Sequence, residues 1–240
     1  MSWFYPQPPD APIRLPRQFP RKVVPSFIGE SGQVLNLLMH HGSGSRVRDY
    51  SPYGNHGTIH GAEWVSSEWG WALYFDGNSY VRIPDSPSLD ITTPFTVLAW
   101  VYLTKTGVDR KIFHHQSPGI KLSVYSNDKV EVEIRNPSDT PYSNRNVTGG
   151  TILKANRWYL VGGWWDGSEI RSIVNGEFER PYSYTGDIGV TSNDAGIGVE
   201  FDWSKYFFNG YIATLMLFNR ALSGEEVKAY YESTRSIFGA

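Results

Sequence analysis

Two pairs of alternating acids are the first candidates for chemistry in this 240-residue sequence. Glu131 and Glu133 alternate in Val130-Glu131-Val132-Glu133-Ile134, so on a strand they share one face. Glycoside hydrolysis usually needs two carboxylates flanking the scissile bond, and this pair is the nearest match. Arg135 holds the next position on that face, and no third acid follows. The preferred reading is an amphipathic strand with its polar face in water. Glu200 and Asp202 also alternate, beside Phe201 and Trp203, and are no more complete.

The six histidines include the doublets His40-His41 and His114-His115, and the pair His56 and His60. Neighbours on a strand point to opposite faces, so neither doublet chelates one metal as a strand pair. His56 and His60 lie in a Gly-rich loop with no third ligand at a known spacing. Surface or hairpin histidines are the expectation. With no cysteine, a thiol nucleophile, a disulfide and a cysteine zinc site are excluded. There is no G-x-S-x-G elbow and no P-loop. The expectation is a protein that is not an enzyme and has no cofactor.

The elements that must position these residues read as strands. Aromatics make up 15% of the chain, with 24 Gly and 15 Pro, which suits short strands joined by tight turns. The run Phe95 to Leu103 is apolar on both faces, as in a strand buried on both sides. Lys121 to Tyr125 and Lys129 to Arg135 flank Ser126-Asn127-Asp128, a hairpin signal. Trp158 to Trp165 and Glu169 to Val174 flank Asp166-Gly167, and Asn175-Gly176 suits a type I′ turn. Tyr211 to Phe218 is a further apolar strand. Near the end, Ser223 and Glu226 form a capping box, Leu222 and Val227 a hydrophobic staple. Val227, Tyr230 and Tyr231 make one apolar stripe, so this short helix packs on the outside of a sandwich.

Seven prolines fall before residue 29, with Arg14, Arg17, Arg21 and Lys22 against the single acid Asp10. Proline fixes φ and lacks a donor, so this stretch is extended rather than helical. Trp3, Phe4, Tyr5, Ile13, Leu15, Phe19 and Phe27 make it too apolar for a simple tether. Residues 1–28 read as an arm lying along a surface, with a disordered leader as the alternative. Residues 29–240 read as one domain. The net charge of −2 argues against a whole-domain nucleic-acid surface. No apolar run approaches the ~20 residues of a membrane-spanning helix, and the first residues, MSWFYPQPPD, do not read as a signal peptide.

Four stretches, in order, resemble the laminin-G-like domains of the concanavalin A-like lectin/glucanase superfamily. They are Arg48-Asp49-Tyr50-Ser51-Pro52-Tyr53-Gly54-Asn55-His56-Gly57-Thr58; Leu73-Tyr74-Phe75-Asp76-Gly77 through Leu89 into the Phe95 strand; Asn156-Arg157-Trp158-Tyr159 through Val174-Asn175-Gly176-Glu177; and Phe208-Asn209-Gly210-Tyr211-Ile212 with Phe218-Asn219-Arg220-Ala221-Leu222-Ser223. They span about residues 32–233. The resemblance implies an all-β fold: a jelly-roll sandwich of two antiparallel sheets, one concave, here with an extended N-terminal arm and a short C-terminal helix. Hydrolases of that superfamily carry acids in a pattern like E-x-D-x-x-E, which this sequence does not complete. Many relatives bind structural calcium between an Asp loop and a last strand reading G-x-I-D-E. Asp49 and Gly57 match the first part, but Gly210-Tyr211-Ile212-Ala213-Thr214 puts Ala213 where the carboxylate belongs. An Asx turn at Asp49 is therefore preferred over calcium.

Fold does not give function in this superfamily. Sugar binding needs exposed aromatics; the candidates are Trp100, Trp164, Trp165, Trp203 and Tyr206, against the alternative that most of these fill the core. Trp164 and Trp165 point oppositely on a strand. The first functional reading is a non-catalytic structural or interaction protein. Its arm (Trp3, Phe4, Tyr5, Arg14, Arg17, Phe19, Arg21, Lys22) would meet other subunits and favour a homo-oligomer. The segment Pro16-Arg17-Gln18-Phe19-Pro20-Arg21-Lys22 is similar to leaders of laminin-G-like proteins of tailed viruses, which implies a virion surface component, a capsid decoration or fibre protein. The alternative is a carbohydrate-binding adhesion module with a glycan partner, extracellular or surface-associated. A glycan-cleaving enzyme ranks last. No nucleic-acid or membrane partner is expected.

Overall fold

The computed structural model describes residues 31–67, 70–115, 119–136, 145–190, 192–200 and 202–240. The arm residues 1–28 lie outside them. Among the described residues, sixteen strands and one helix follow in order: β1 Gln33–Leu38, β2 Arg46–Val47, β3 Gly57–His60, β4 Glu63–Ser67, β5 Gly70–Asp76, β6 Tyr80–Ile83, β7 Phe95–Leu103, β8 Arg110–His115, β9 Gly119–Val124, β10 Val130–Arg135, β11 Arg145–Thr148, β12 Trp158–Trp165, β13 Glu169–Val174, β14 Glu177–Ser183, β15 Ala195–Ile197, β16 Asn209–Phe218 and α1 Gly224–Phe238.

They build a jelly-roll sandwich of two antiparallel sheets. The first sheet runs β14-β13-β12-β7-β16-β5-β4, with β1 pairing the second half of β16; the second runs β11-β10-β9-β8-β15-β6-β3-β2. Between them lies the main core. Phe95, Val97, Ala99, Val101 and Leu103 of β7 meet Ile120, Leu122 and Val124 of β9 and Val130, Val132 and Ile134 of β10 in that cluster.

The alternate residues of β7 explain its two apolar faces. Leu98 and Trp100 point away from the main core into a second cluster with Val227, Tyr230 and Phe238 of α1. The helix therefore closes the outer face of the first sheet. Its start is fixed by the expected capping box: Ser223 Oγ accepts from the Glu226 N–H at 3.2 Å, and the Ser223 N–H donates to Glu226 Oε2 at 2.8 Å. Leu222 and Val227 are both buried in the second cluster. Arg220 holds Glu226 in a bidentate pair at 2.7 and 3.0 Å.

Local chemistry sets the turns. Asn175 and Gly176 have φ of 50° and 83°, as a type I′ turn between β13 and β14 requires. Gly210 has φ of 141°, and a Cβ there would lie 2.0 Å from the Tyr102 carbonyl oxygen, so only glycine lets β16 approach β7. No described helix is long and apolar enough to cross a membrane.

Candidate binding face

With α1 on one side, the outer face of the second sheet is what remains to be occupied. The register defines what it shows, because directly opposite residues share a face. One row crosses all eight strands: Arg46, Thr58, Arg82, Gly196, His114, Lys121, Glu133 and Asn146. A second row joins Lys111, Ser123, Glu131 and Thr148. The acids of β10 are thus on the face expected of them, but not in water. Glu131 and Glu133 are 7% and 3% exposed, and His114 is 1% exposed. The expected water-facing strand and the expected surface histidines at 114 and 115 are both corrected.

The reason is a loop. The chain after β15 turns back over the sheet, with the Lys111 N–H donating to the Tyr206 carbonyl at 2.9 Å and the Glu200 N–H to the Lys205 carbonyl at 3.1 Å. This sets the buried Glu200 among three groups. Its carboxylate lies 3.3 Å from Lys111 Nζ, 3.1 Å from Lys121 Nζ and 3.5 Å from His114 Nε2. Lys121 also reaches Glu133 at 3.6 Å, and Glu133 pairs with Arg135. Burial works to raise Glu200, but Lys111, Lys121 and His114 together hold it at about 2. Burial, then Lys121, pushes His114 down to about 3, so its ring is neutral at pH 7. Burial also raises Glu131, while Tyr125, Asn146 and Thr148 hydrogen-bond it and oppose the shift. Sharing of charge inside a low-dielectric layer makes this cluster a brace: removing one member strands the others.

The same loop carries two of the aromatic candidates. Trp203 and Tyr206 have φ of 58° and 54°, costly for bulky residues and a recurrent property of functional loops. Trp203 packs on Tyr80 at 5.1 Å, and Tyr80 stacks on His60 at 4.6 Å and 14°. The Arg82 guanidinium sits 5.7 Å over the Trp203 ring and pairs with Asp194. Tyr206 is 42% exposed, with Lys111 and Lys205 each 5.6 Å from its ring. The other three tryptophans are placed differently. Trp100 is fully buried, stacks on Phe238 at 4.3 Å and donates to Thr234 Oγ1. Trp165 is buried in the main core. Trp164 lies on the opposite face of β12, against Phe178, and donates to the Leu222 carbonyl. These three serve packing because the first sheet is covered on both sides.

Beyond Arg82 the row ends at Arg46, which lines a cleft of about 360 Å³ with His41, Arg48 and His56. Arg46 and Arg48 flank the buried Val47 and are exposed. Neither has a carboxylate partner among the described residues. Arg48 lies 5.3 Å over the Tyr50 ring, which stacks with His40 and His41. Tyr53 and Trp71 nearby are 55% and 40% exposed. Desolvation, then Arg46, lowers His56. Behind the cleft, Asp49 accepts from the N–H groups of Asn36, Ser51 and Asn55 and from Ser51 Oγ. Four donors occupy its carboxylate, as an Asx-type anchor requires. Gly57 opens β3, where a Cβ would meet Val81 at 2.4 Å. At Ala213 the pairing of β16 with β7 slips by one residue, and its side chain offers no ligand to Asp49's loop.

The family model described as the concanavalin A-like lectin/glucanases superfamily matches residues 75–228, more than half of the chain. The chain belongs to that superfamily. No curated protein matches it. Among solved structures, it is similar to the binding domain of Paraclostridial Mosquitocidal Protein 1, at 14% identity and a TM-score of 0.69, over 85% of this chain and 52% of that one. It is similar to domain 4 of AbnA, a GH43 extracellular arabinanase of Geobacillus stearothermophilus solved with arabinotriose, at 16% identity and 0.65, over 84% and 98%. It is also similar to botulinum neurotoxin type C, whose passage into cells depends on interaction with two ganglioside molecules, at 12% identity and 0.63, over 85% and 51%. The chain spans about half the length of the toxin structures it matches. As a superfamily member it has the fold of sugar-binding and sugar-cleaving proteins alike, so the site chemistry decides between them.

Proposed function

We propose that this protein is a non-catalytic recognition module that binds carbohydrate bearing an anionic group. The observation that carries the reading is the strip from Trp203 and Tyr80 through Arg82 to the Arg46–Arg48 cleft. Aromatic faces suit the apolar faces of sugar rings, and two arginines with no carboxylate partner among the described residues suit a carboxylate or sulfate. The alternative of glycan cleavage needs a carboxylic acid free to give up a proton at neutral pH. Glu200, at about 2, is not such an acid, Glu133 is closed by Lys121 and Arg135, and Glu131, though raised by burial, is 7% exposed and accepts from Thr148. The likeness to sugar- and ganglioside-associated binding domains supports a binding role in the same direction.

The fuller reading gives the module a place: a virion surface component, a decoration or fibre protein, in a homo-oligomeric assembly fastened through residues 1–28. Its support is the leader's composition, with seven prolines, four basic residues and five bulky aromatics, suited to lying along an acidic neighbour.

A panel of neutral and acidic oligosaccharides titrated against tryptophan fluorescence tests the binding reading. Acidic glycans bind, and Arg46→Ala with Arg48→Ala abolishes the response while the fold persists. Binding of neutral sugars alone, or turnover of a polysaccharide that depends on Glu131 or Glu133, overturns it. Light scattering with and without residues 1–28 tests the assembly role; truncation is expected to dissolve the oligomer.

A further inference from the structure

The end of the second sheet gathers three potential ligands that the binding face does not use. Asp85 and Asp90 lie in the loop between β6 and β7, and His115 is the last residue of β8. One carboxylate oxygen of each aspartate and one ring nitrogen of His115 all lie within 4.8 Å of one another. His115 is 3% exposed, yet its Nε2 has no hydrogen-bond partner among the described residues, and neither has the buried Oδ1 of Asp90. A buried polar atom left unmatched costs its full desolvation and calls for an explanation.

The backbone holds the aspartates where they are. The Asp85 N–H donates to Asp194 Oδ1 at 2.8 Å. Leu89 and Ile91, both buried, bracket Asp90, and their N–H groups close the loop onto the Ser86 and Leu89 carbonyls. We propose that Asp85, Asp90 and His115 bind one divalent transition metal of the zinc type, joining the 84–94 loop to the end of β8. Two carboxylates balance the charge of the ion. The imidazole selects against calcium and magnesium, which take oxygen ligands. Three protein ligands leave a fourth tetrahedral position for water or an incoming group. The site uses neither Asp49 nor Gly57 and does not depend on the carbohydrate reading.

The test titrates zinc into the metal-stripped full chain, in competition with a chromogenic chelator, and reads the visible spectrum with cobalt in its place. One ion per chain is expected, with a tetrahedral cobalt spectrum and a zinc-dependent rise in the thermal midpoint. Asp85→Asn, an exposed change that spares the core, weakens binding by at least about tenfold, and His115→Ala abolishes it. Wild-type protein without saturable binding overturns the proposal. So does binding that is unchanged in Asp85→Asn but lost on replacing His40 and His41.

Discussion

Replacing Glu200 with glutamine removes the one carboxylate that Lys111, Lys121 and His114 share. Glu200 is 4% exposed and Lys111 and Lys121 are 4% and 3% exposed, so the ammonium groups cannot turn to water without opening the loop. Lys121 keeps Glu133, at 3.6 Å, but among the described residues Lys111 keeps only the faces of Tyr125 and Tyr206, at 5.0 and 5.6 Å. Stranding a buried charge costs about 3–5 kcal/mol. For a chain of this length, each kcal/mol moves the thermal midpoint by about 2–4 °C, which makes the expected drop about 6–20 °C. The control is Asp202→Asn two residues on, whose pair with Lys205 is largely solvated and is worth about 0–1 kcal/mol. Thermal unfolding with guanidinium denaturation in parallel separates the two. Adding Lys111→Met to Glu200→Gln recovers part of the loss, since the stranded cation is gone. A Glu200→Gln midpoint within the range of the Asp202→Asn control refutes the buried brace.

Acid lowers stability through the same cluster. His114 sits at about 3 in the fold against an ordinary 6.5, so between these values the unfolded chain takes up a proton that the folded one refuses. Stability then falls with falling pH, by up to ~1.4 kcal/mol per unit per proton. Glu200, at about 2 against 4.5, adds the same sign lower down, while Glu131, raised by burial, offsets part of it. The midpoint declines from pH 6.5 downward, and His114→Gln flattens the upper part; a midpoint flat to pH 4.5 contradicts this. Asp49→Ala strips four donors of their acceptor and costs about 3 kcal/mol or more, and calcium added to the variant restores nothing; rescue by calcium in a melting assay points to a metal anchor instead. Gly210→Ala forces a Cβ onto the Tyr102 carbonyl at a φ of 141°; far-UV circular dichroism and expression should show loss of the β16–β7 pairing, and a near-native melt counters the close-approach argument.

Periodicity made most of the fold legible. Ile120-Lys121-Leu122-Ser123-Val124 and Val130-Glu131-Val132-Glu133-Ile134 announce their strands and their core faces by alternation, and Ser223 with Glu226 fixes the helix start. The surroundings of the polar face were not legible, because Glu200 meets Lys121 only after the chain has folded back. Alternation tells which residues share a face but not what covers it, so a buried brace read as a wetted surface. The tryptophans failed for a related reason: nothing local distinguishes Trp100, sealed under α1, from Trp203, lifted on a positive-φ loop. Arg46 and Arg48 around the buried Val47 did carry a signal, a basic pair alternating about an apolar residue, but their cleft depends on His41 and His56 arriving from separate loops.

The most direct measurement is amide chemical-shift mapping of the folded chain during titration with an acidic oligosaccharide. The largest shifts are expected along residues 46, 48, 58, 80, 82 and 203, with little change along α1. Shifts confined to the helix side, or to the hairpin at 126–128, would contradict it.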